Sequence, residues 1–132
     1  MARVLVLDDD ESLLKMLLLW LTIAGFEAEG AGDGDSGLRL LETKPFDLVV
    51  TDIVMPNKEE LETIPAIRKK FKDLPIIAIS GGGIGSAELY LDIAQQLGVN
   101  FAFQKPFGMN PFLDAVRECL SGGKPEPIKS AE

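Results

Sequence analysis

Short apolar runs alternate five times with longer segments of helical period, and this alternation limits the possible folds more than any other feature. Three of the runs (VLVL, LVV and IIAI) are continuously apolar, as expected of strands buried on both faces. The predicted strands are Arg3–Leu7, Phe26–Gly30, Leu48–Thr51, Ile76–Ser80 and Phe101–Gln104. The predicted helices are Glu11–Ala24, Asp35–Glu42, Glu59–Lys70, Ser86–Leu97 and Asn110–Leu120. Repeated strand–helix units predict an α/β fold with a five-stranded parallel sheet covered on both faces.

The length of 132 residues fits one domain with a single core. The sequence from Ser121 onward, SGGKPEPIKSAE, is rich in Gly, Pro, Lys and Glu, which is typical of a linker or a disordered segment. We therefore expect one domain over residues 1–121 and a flexible C-terminal tail over residues 122–132.

The residue types that are missing exclude several kinds of chemistry. The chain has no histidine and one cysteine, which excludes Ser-His and Cys-His nucleophile pairs, imidazole zinc sites and an internal disulfide. A net charge of −8 argues against direct nucleic-acid binding. The segment Leu13–Ala24 is too short to span a bilayer and no signal peptide is recognisable. We expect a cytoplasmic protein without a membrane partner.

Polar side chains stand at the ends of four of the predicted strands. The first strand is followed by Asp8–Asp10, the third by Asp52 and the fifth by Lys105, and the fourth ends in Ser80. The ends of parallel strands meet at one edge of the sheet, so these groups are expected to lie together. Carboxylates suit Mg²⁺, and an aspartate nucleophile with a metal and a lysine is the equipment of phosphoryl transfer. Asp10 is expected only to cap the first helix.

Four motifs in this order, VLVLDDDES, LVVTDIVMP, IIAISGGG and FAFQKPF, resemble the receiver domains of two-component response regulators. The chain is similar to the stand-alone, chemotaxis-type bacterial members, and the resemblance covers Arg3 to about Leu120. It implies a flavodoxin-like (βα)5 doubly wound sandwich with strand order 2-1-3-4-5.

The resemblance also implies a role for each residue of the site. Asp52 would accept a phosphoryl group, whose oxygens Ser80 and Lys105 would contact. Phe103 would be an aromatic switch that moves inward when Ser80 is drawn to the phosphoryl group, and the Lys105–Pro106 bond would be cis. The implied Mg²⁺ ligands are Asp8, Asp9, Asp52 and the backbone carbonyl of Val54.

Three positions depart from the family pattern. Glu60 stands where a glycine is usual, and Pro65 is expected to kink the third helix or mark a late start. Val54 offers no polar side chain to orient an attacking water, so we expect an unusual dephosphorylation rate.

The leading interpretation is a phosphoacceptor, not a turnover enzyme, that switches partner binding. Its donor would be a phosphohistidine on a sensor histidine kinase or a histidine phosphotransfer protein. The alternative is a haloacid-dehalogenase-like phosphatase with Asp8 as nucleophile and Asp10 as general acid. A flavodoxin-like FMN protein is a weaker alternative, because the single Trp and single Tyr are both predicted on helices.

The first helix carries more apolar residues than one buried stripe requires. The predicted core stripe consists of Leu13, Met16, Leu17, Trp20, Leu21 and Ala24. Leu14 and Leu18 lie outside it, together with Leu19 and Ile23. We expect Leu14 and Leu18 to belong to a docking face for the phosphodonor or to a homodimer seam.

Overall fold

The computed structural model describes residues 2–52, 60–80, 96, 98–121 and 130–131. The strands are β1 (Arg3–Leu7), β2 (Glu27–Ala31), β3 (Leu48–Asp52), β4 (Ile76–Ser80), β5 (Phe101–Gln104) and β6 (Ser130–Ala131). The helices are α1 (Glu11–Ile23), α2 (Gly34–Thr43), α3 (Glu60–Lys70) and α4 (Met109–Leu120). The helix predicted over Ser86–Leu97 lies almost entirely outside the described residues.

The sheet is parallel throughout, and its five main strands follow the order β2-β1-β3-β4-β5. This confirms the predicted fold class and strand order. A two-residue strand, β6, extends the sheet beyond β5, with Ser130 opposite Ala102 and Ala131 opposite Phe103. The prediction of a flexible tail otherwise falls on residues 122–129 and 132, which lie outside the described residues.

The side chains of β1 show why the apolar runs are continuous. Val4 and Val6 belong to the core between the sheet and helices α1 and α4, whereas Leu5 and Leu7 belong to the core under α2 and α3. All four are fully buried. Successive strand residues point to opposite faces, so a strand covered on both faces has no solvent-exposed position, and in β1 apolar residues fill positions 4 to 7.

A glycine ends α1 and shifts the start of β2. Gly25 has a φ of 96°, its N–H donates to Thr22 O, and the N–H of Phe26 donates to Leu21 O. These two bonds form a Schellman motif, which needs the left-handed residue that glycine supplies. The backbone of Phe26 is used by this cap, and β2 begins at Glu27. The predicted start at Phe26 was therefore wrong by one residue.

The exposed apolar surface of α1 differs from the predicted one. Leu14 and Leu18 are half-buried and pack against the core, whereas Leu19 and Ile23 are 57% and 69% exposed. Leu14 lies over Gly30, where a Cβ would come within 2.8 Å of Leu14 Cδ1. The exposed large apolar residues of α1 are thus Leu19 and Ile23. A partner role of Leu14 and Leu18 stays a prediction.

Arg68 connects helix α3 by hydrogen bonds to the segments that precede β4 and β5. Its guanidinium donates to the carbonyls of Lys72 at 2.9 Å, Leu74 at 2.6 Å and Gly98 at 2.9 Å. Burial lowers the pKa of Arg68, although the charge of Asp73 opposes this effect. The end of α3 is thereby tied to the segments that lead into β4 and β5.

Pro65 lies inside α3 and not at its start, because the helix begins at Glu60. The alternative that the proline marks a late start is therefore wrong. Among the described helices, none has both the length and the apolar character needed to cross a membrane.

Candidate functional site

Four of the predicted site residues lie together at the carboxyl ends of the parallel strands. Asp8 directly follows β1, Asp52 and Ser80 are the last residues of β3 and β4, and Lys105 directly follows β5. The register places Ser80 opposite Gln104, and the N–H of Lys105 donates to Ser80 O at 2.7 Å. The parallel sheet thus brings together residues that are far apart in the sequence.

Lys105 bridges two buried carboxylates. Its Nζ lies 2.9 Å from Asp52 Oδ2 and 3.1 Å from Asp8 Oδ2. Asp8 and Asp52 are 1% and 3% exposed. Burial alone would lower the pKa of Lys105, but its hydrogen bond to Asp52 and the negative charges of Asp52 and Asp8 outweigh this effect and raise that pKa above its ordinary value. The ammonium is therefore charged at neutral pH.

Asp8, Asp9 and Asp52 form a cluster that can hold a metal ion. Each offers one carboxylate oxygen, and these oxygens lie within 4.8 Å of one another. With Lys105 included, the four charged groups retain two negative charges, which one divalent cation would balance. Asp9 is exposed, so the cluster has a side open to solvent.

The two oxygens of Asp8 have different surroundings. Oδ1 accepts a hydrogen bond from the N–H of Asp10 at 2.8 Å. Oδ2 is buried and has no hydrogen bond of good geometry within the described residues, although Lys105 Nζ lies near it. A buried carboxylate oxygen without a hydrogen bond is costly, and a metal ion would satisfy it. The acidic, all-oxygen donor set fits a hard cation such as Mg²⁺.

Asp10, the third acid of the run, caps α1. Its Oδ1 accepts hydrogen bonds from the N–H groups of Ser12 at 3.0 Å and Leu13 at 3.2 Å. This confirms the predicted capping role. The carboxylate of Asp10 is engaged with the first turn of the helix and does not belong to the metal-binding cluster.

Phe103 is buried inside the core and not at the rim of the site. It is 4% exposed, and its ring centroid lies 5.4 Å from that of Phe107 and 6.1 Å from that of Phe112. The predicted switch requires a ring that moves inward, and this ring is already inside. The ring thus occupies an inward position in this structure, and the switch role of Phe103 stays a prediction.

Sequence reasoning overlooked an aromatic cluster beside Lys105. Phe107 follows Lys105 by two residues, and its ring contacts the rings of Trp20, Phe103 and Phe112. The intervening Lys105–Pro106 bond is cis, as expected. The motif FAFQKPF holds three of the chain's seven phenylalanines and was the available signal for this cluster.

One predicted metal ligand falls on a residue that the structure does not describe. The carbonyl of Val54 lies outside the described residues.

Comparison with known proteins gives one consistent family. The family model described as the response regulator receiver domain matches residues 4–117. The regulatory protein VirG of Agrobacterium fabrum is 34% identical over 118 residues, which are 89% of this chain and 46% of that protein. The chain thus spans about half the length of the curated relatives that it matches first.

Solved structures agree with this match. A CheY-like receiver domain protein from Methanospirillum hungatei superposes with a TM-score of 0.84 at 26% identity, covering 92% of this chain and 95% of that one. The response regulator TrrA of Thermotoga maritima, solved in complex with Mg²⁺-BeF, has a TM-score of 0.79 and 29% identity. That alignment covers 91% of this chain and 100% of TrrA.

Proposed function

The chain belongs to the response regulator receiver domain family, and on this premise we propose that Asp52 is its phosphoryl acceptor. The family accepts phosphoryl groups in two-component signalling. The observation that carries the assignment to Asp52 is the ion pair of its buried carboxylate with Lys105 at 2.9 Å, beside the second buried acid, Asp8. Positioning and charge neutralisation are what phosphoryl transfer asks of a protein.

The cation of this site is proposed to be Mg²⁺. Asp8, Asp9 and Asp52 would hold it, with the carbonyl of Val54 as a further ligand. The acidic cluster and the buried Asp8 oxygen support this choice, as does the Mg²⁺-BeF complex of TrrA. When bound, Mg²⁺ would offset the negative charge that gathers between the acceptor and the phosphoryl group.

The proposed transfer is a displacement at phosphorus. A carboxylate oxygen of Asp52 attacks the phosphorus of a phosphohistidine, the phosphorus–nitrogen bond breaks, and its electron pair stays on the imidazole, which takes a proton from solvent. The product is an acyl phosphate on Asp52. Lys105 is placed to bind one phosphoryl oxygen through its ammonium group, and the hydroxyl of Ser80 to donate to another.

Receiver domains interact with sensor kinases or phosphotransfer proteins, and the donor proposed here is a phosphohistidine on such a partner. The proposed output is a change in partner affinity and not turnover of a separate substrate. Residues 1–121 are proposed to form the receiver unit. Leu19 and Ile23 present the most exposed apolar surface of α1 to a partner or a second copy, beside the half-buried Leu14 and Leu18.

The dehalogenase-type alternative has no support from the site. It needs Asp10 as a general acid, and the carboxylate of Asp10 instead caps α1. The family match is to receiver domains.

Intact mass measurement after incubation with a small phosphodonor and Mg²⁺ tests the assignment. The wild type is expected to gain one phosphoryl group, and the Asp52→Asn variant is expected to gain none. Retained labelling in Asp52→Asn together with its loss in Asp8→Asn would instead indicate the phosphatase alternative. Circular dichroism of both variants checks that the fold is intact.

A further inference from the structure

The outer edge of β5 carries a backbone pairing that the receiver function does not use. Strand β5 has β4 on one side and the two-residue β6 on the other. Ser130 lies opposite Ala102 and Ala131 opposite Phe103, and both pairs run parallel. Among the residues that the structure describes, only Ser130 and Ala131 pair with this side of β5.

The connection that makes this pairing possible follows the rules of the rest of the sheet. After β5 the chain passes through α4 and returns to lie parallel to β5, which is the geometry of a strand–helix–strand unit. Parallel neighbours need such a crossover of a dozen or more residues. The segment between Gln104 and Ser130 is long enough to supply it.

An open β5 edge would be a liability. Its sequence FAFQ is mostly apolar. It contains neither a charged residue nor a proline, the two kinds of residue with which proteins usually protect an edge strand. Unpaired N–H and C=O groups on such an edge invite pairing with another extended segment. Covering the edge with a short strand of the same chain removes this template.

We propose that the β5 edge is a strand-addition site and that Ser130–Ala131 of the same chain is its occupant. The C-terminal segment binds through backbone hydrogen bonds, in parallel orientation, and its docking keeps the edge from pairing with other chains. Release of the segment exposes a site for an extended peptide strand. This inference does not depend on the phosphoacceptor role of Asp52.

Hydrogen–deuterium exchange with mass spectrometry tests the pairing on the full chain. Proline lacks the N–H that a ladder requires, so the double variant Ser130→Pro/Ala131→Pro should release the segment. Peptides covering Phe101–Gln104 are expected to exchange about fivefold faster or more in this variant. Peptides covering Ile76–Ser80 should keep their wild-type rates, which shows that the sheet itself remains intact.

The matched control is Glu126→Pro, which adds a proline to the same tail outside the β6 pairing. It is expected to leave the exchange of β5 unchanged. Equal exchange of β5 in the wild type and the double-proline variant would overturn the proposal. Protection that appears only in a dimer, measured by light scattering, would also overturn it, because the occupant would then be the tail of a second copy.

Discussion

Lys105 Nζ lies 2.9 Å from Asp52 Oδ2, and the same nitrogen reaches Asp8 Oδ2 at 3.1 Å. One ammonium group therefore holds two buried carboxylates that would otherwise repel each other. Its Nζ also lies beside Asp8 Oδ2, an oxygen that could coordinate a metal ion. Lys105 and a divalent cation are thus expected to compete for Asp8 while they cooperate in offsetting the charge of the site.

Replacing Lys105 by methionine is expected to tighten the binding of Mg²⁺. Without the ammonium group, the cluster of acids becomes more negative and the Asp8 oxygen no longer has a competing cation. The dissociation constant measured by isothermal titration calorimetry should fall on the order of tenfold. The phosphorylation rate should nevertheless decrease, because a phosphoryl oxygen loses its partner.

Lys44→Met is the matched control for this prediction. Lys44 also forms an ion pair, with Glu29 at 2.6 Å, but it is exposed and remote from the acidic cluster. Its substitution should change the Mg²⁺ dissociation constant less than twofold, about the effect of a screened surface charge. An unchanged or weaker affinity in Lys105→Met would rule out the competition.

Gly37→Ala is expected to destabilise the fold, because α2 packs closely on β1 at this glycine. A Cβ at position 37 would lie 2.4 Å from Leu7 Cδ2, and Leu7 is fully buried. Repacking should lower the free energy of unfolding by about 1–3 kcal/mol in urea denaturation. Gly32→Ala, which has open space around its Cβ, should change it by less than about 0.5 kcal/mol. Equal losses of stability in Gly37→Ala and Gly32→Ala would contradict the close packing of α2 on β1 at Gly37.

Replacing either of two buried threonines by valine is predicted to change the stability of the protein, in opposite directions for the two positions. The hydroxyl of Thr63 is fully buried without a hydrogen-bond partner among the described residues, so Thr63→Val should stabilise the protein by about 1 kcal/mol. The hydroxyl of Thr51 donates to Asp52 O at 3.1 Å, so Thr51→Val should cost about 1 kcal/mol. The thermal unfolding temperatures of the two variants, each compared with that of the wild type, test both predictions. A destabilised Thr63→Val protein would mean that its hydroxyl has a partner.

Cys119 is predicted to make stability fall as the pH rises. Burial raises the pKa of its thiol to about 12, with a further contribution from the charge of Glu118. The unfolded thiol loses its proton near pH 8.5 whereas the folded one keeps it, so stability present below about pH 8.5 is lost progressively above it.

The measurement is the urea midpoint of the wild type and of Cys119→Val at about pH 8 and pH 10. The wild type should lose more stability over this interval than the variant, since groups other than the thiol contribute equally to both. Identical pH dependence would show that the thiol ionises as easily in the folded chain as in the unfolded one.

Much of the fold was predictable because strand burial leaves a direct mark on the sequence. The run VLVL in β1 is buried on both faces, and its bounds were predicted correctly. The carboxyl ends of parallel strands lie on the same side of the sheet. The grouping of Asp8, Asp52 and Lys105 could therefore be predicted from their positions at the ends of apolar runs in the sequence.

Other features depend on tertiary contacts that residue types do not reveal. Leu14 is only half-buried and not fully exposed because it covers Gly30, a contact set by the packing of α1 on β2. The depth of Phe103 depends on Phe107 and Phe112, which reach it from the following loop and helix. The carbonyls bound by Arg68 come from separate segments, and no sequence pattern marks such a set.

The most direct measurement of the central claim locates the phosphoryl group on the chain. The protein is incubated with a small phosphodonor in Mg²⁺ or in EDTA, reduced with borohydride to trap the acyl phosphate, and analysed by peptide mapping. We expect modification at Asp52 with Mg²⁺ and a large loss of modification with EDTA. Modification at another residue, or equal modification of Asp52 in EDTA, would contradict the claim.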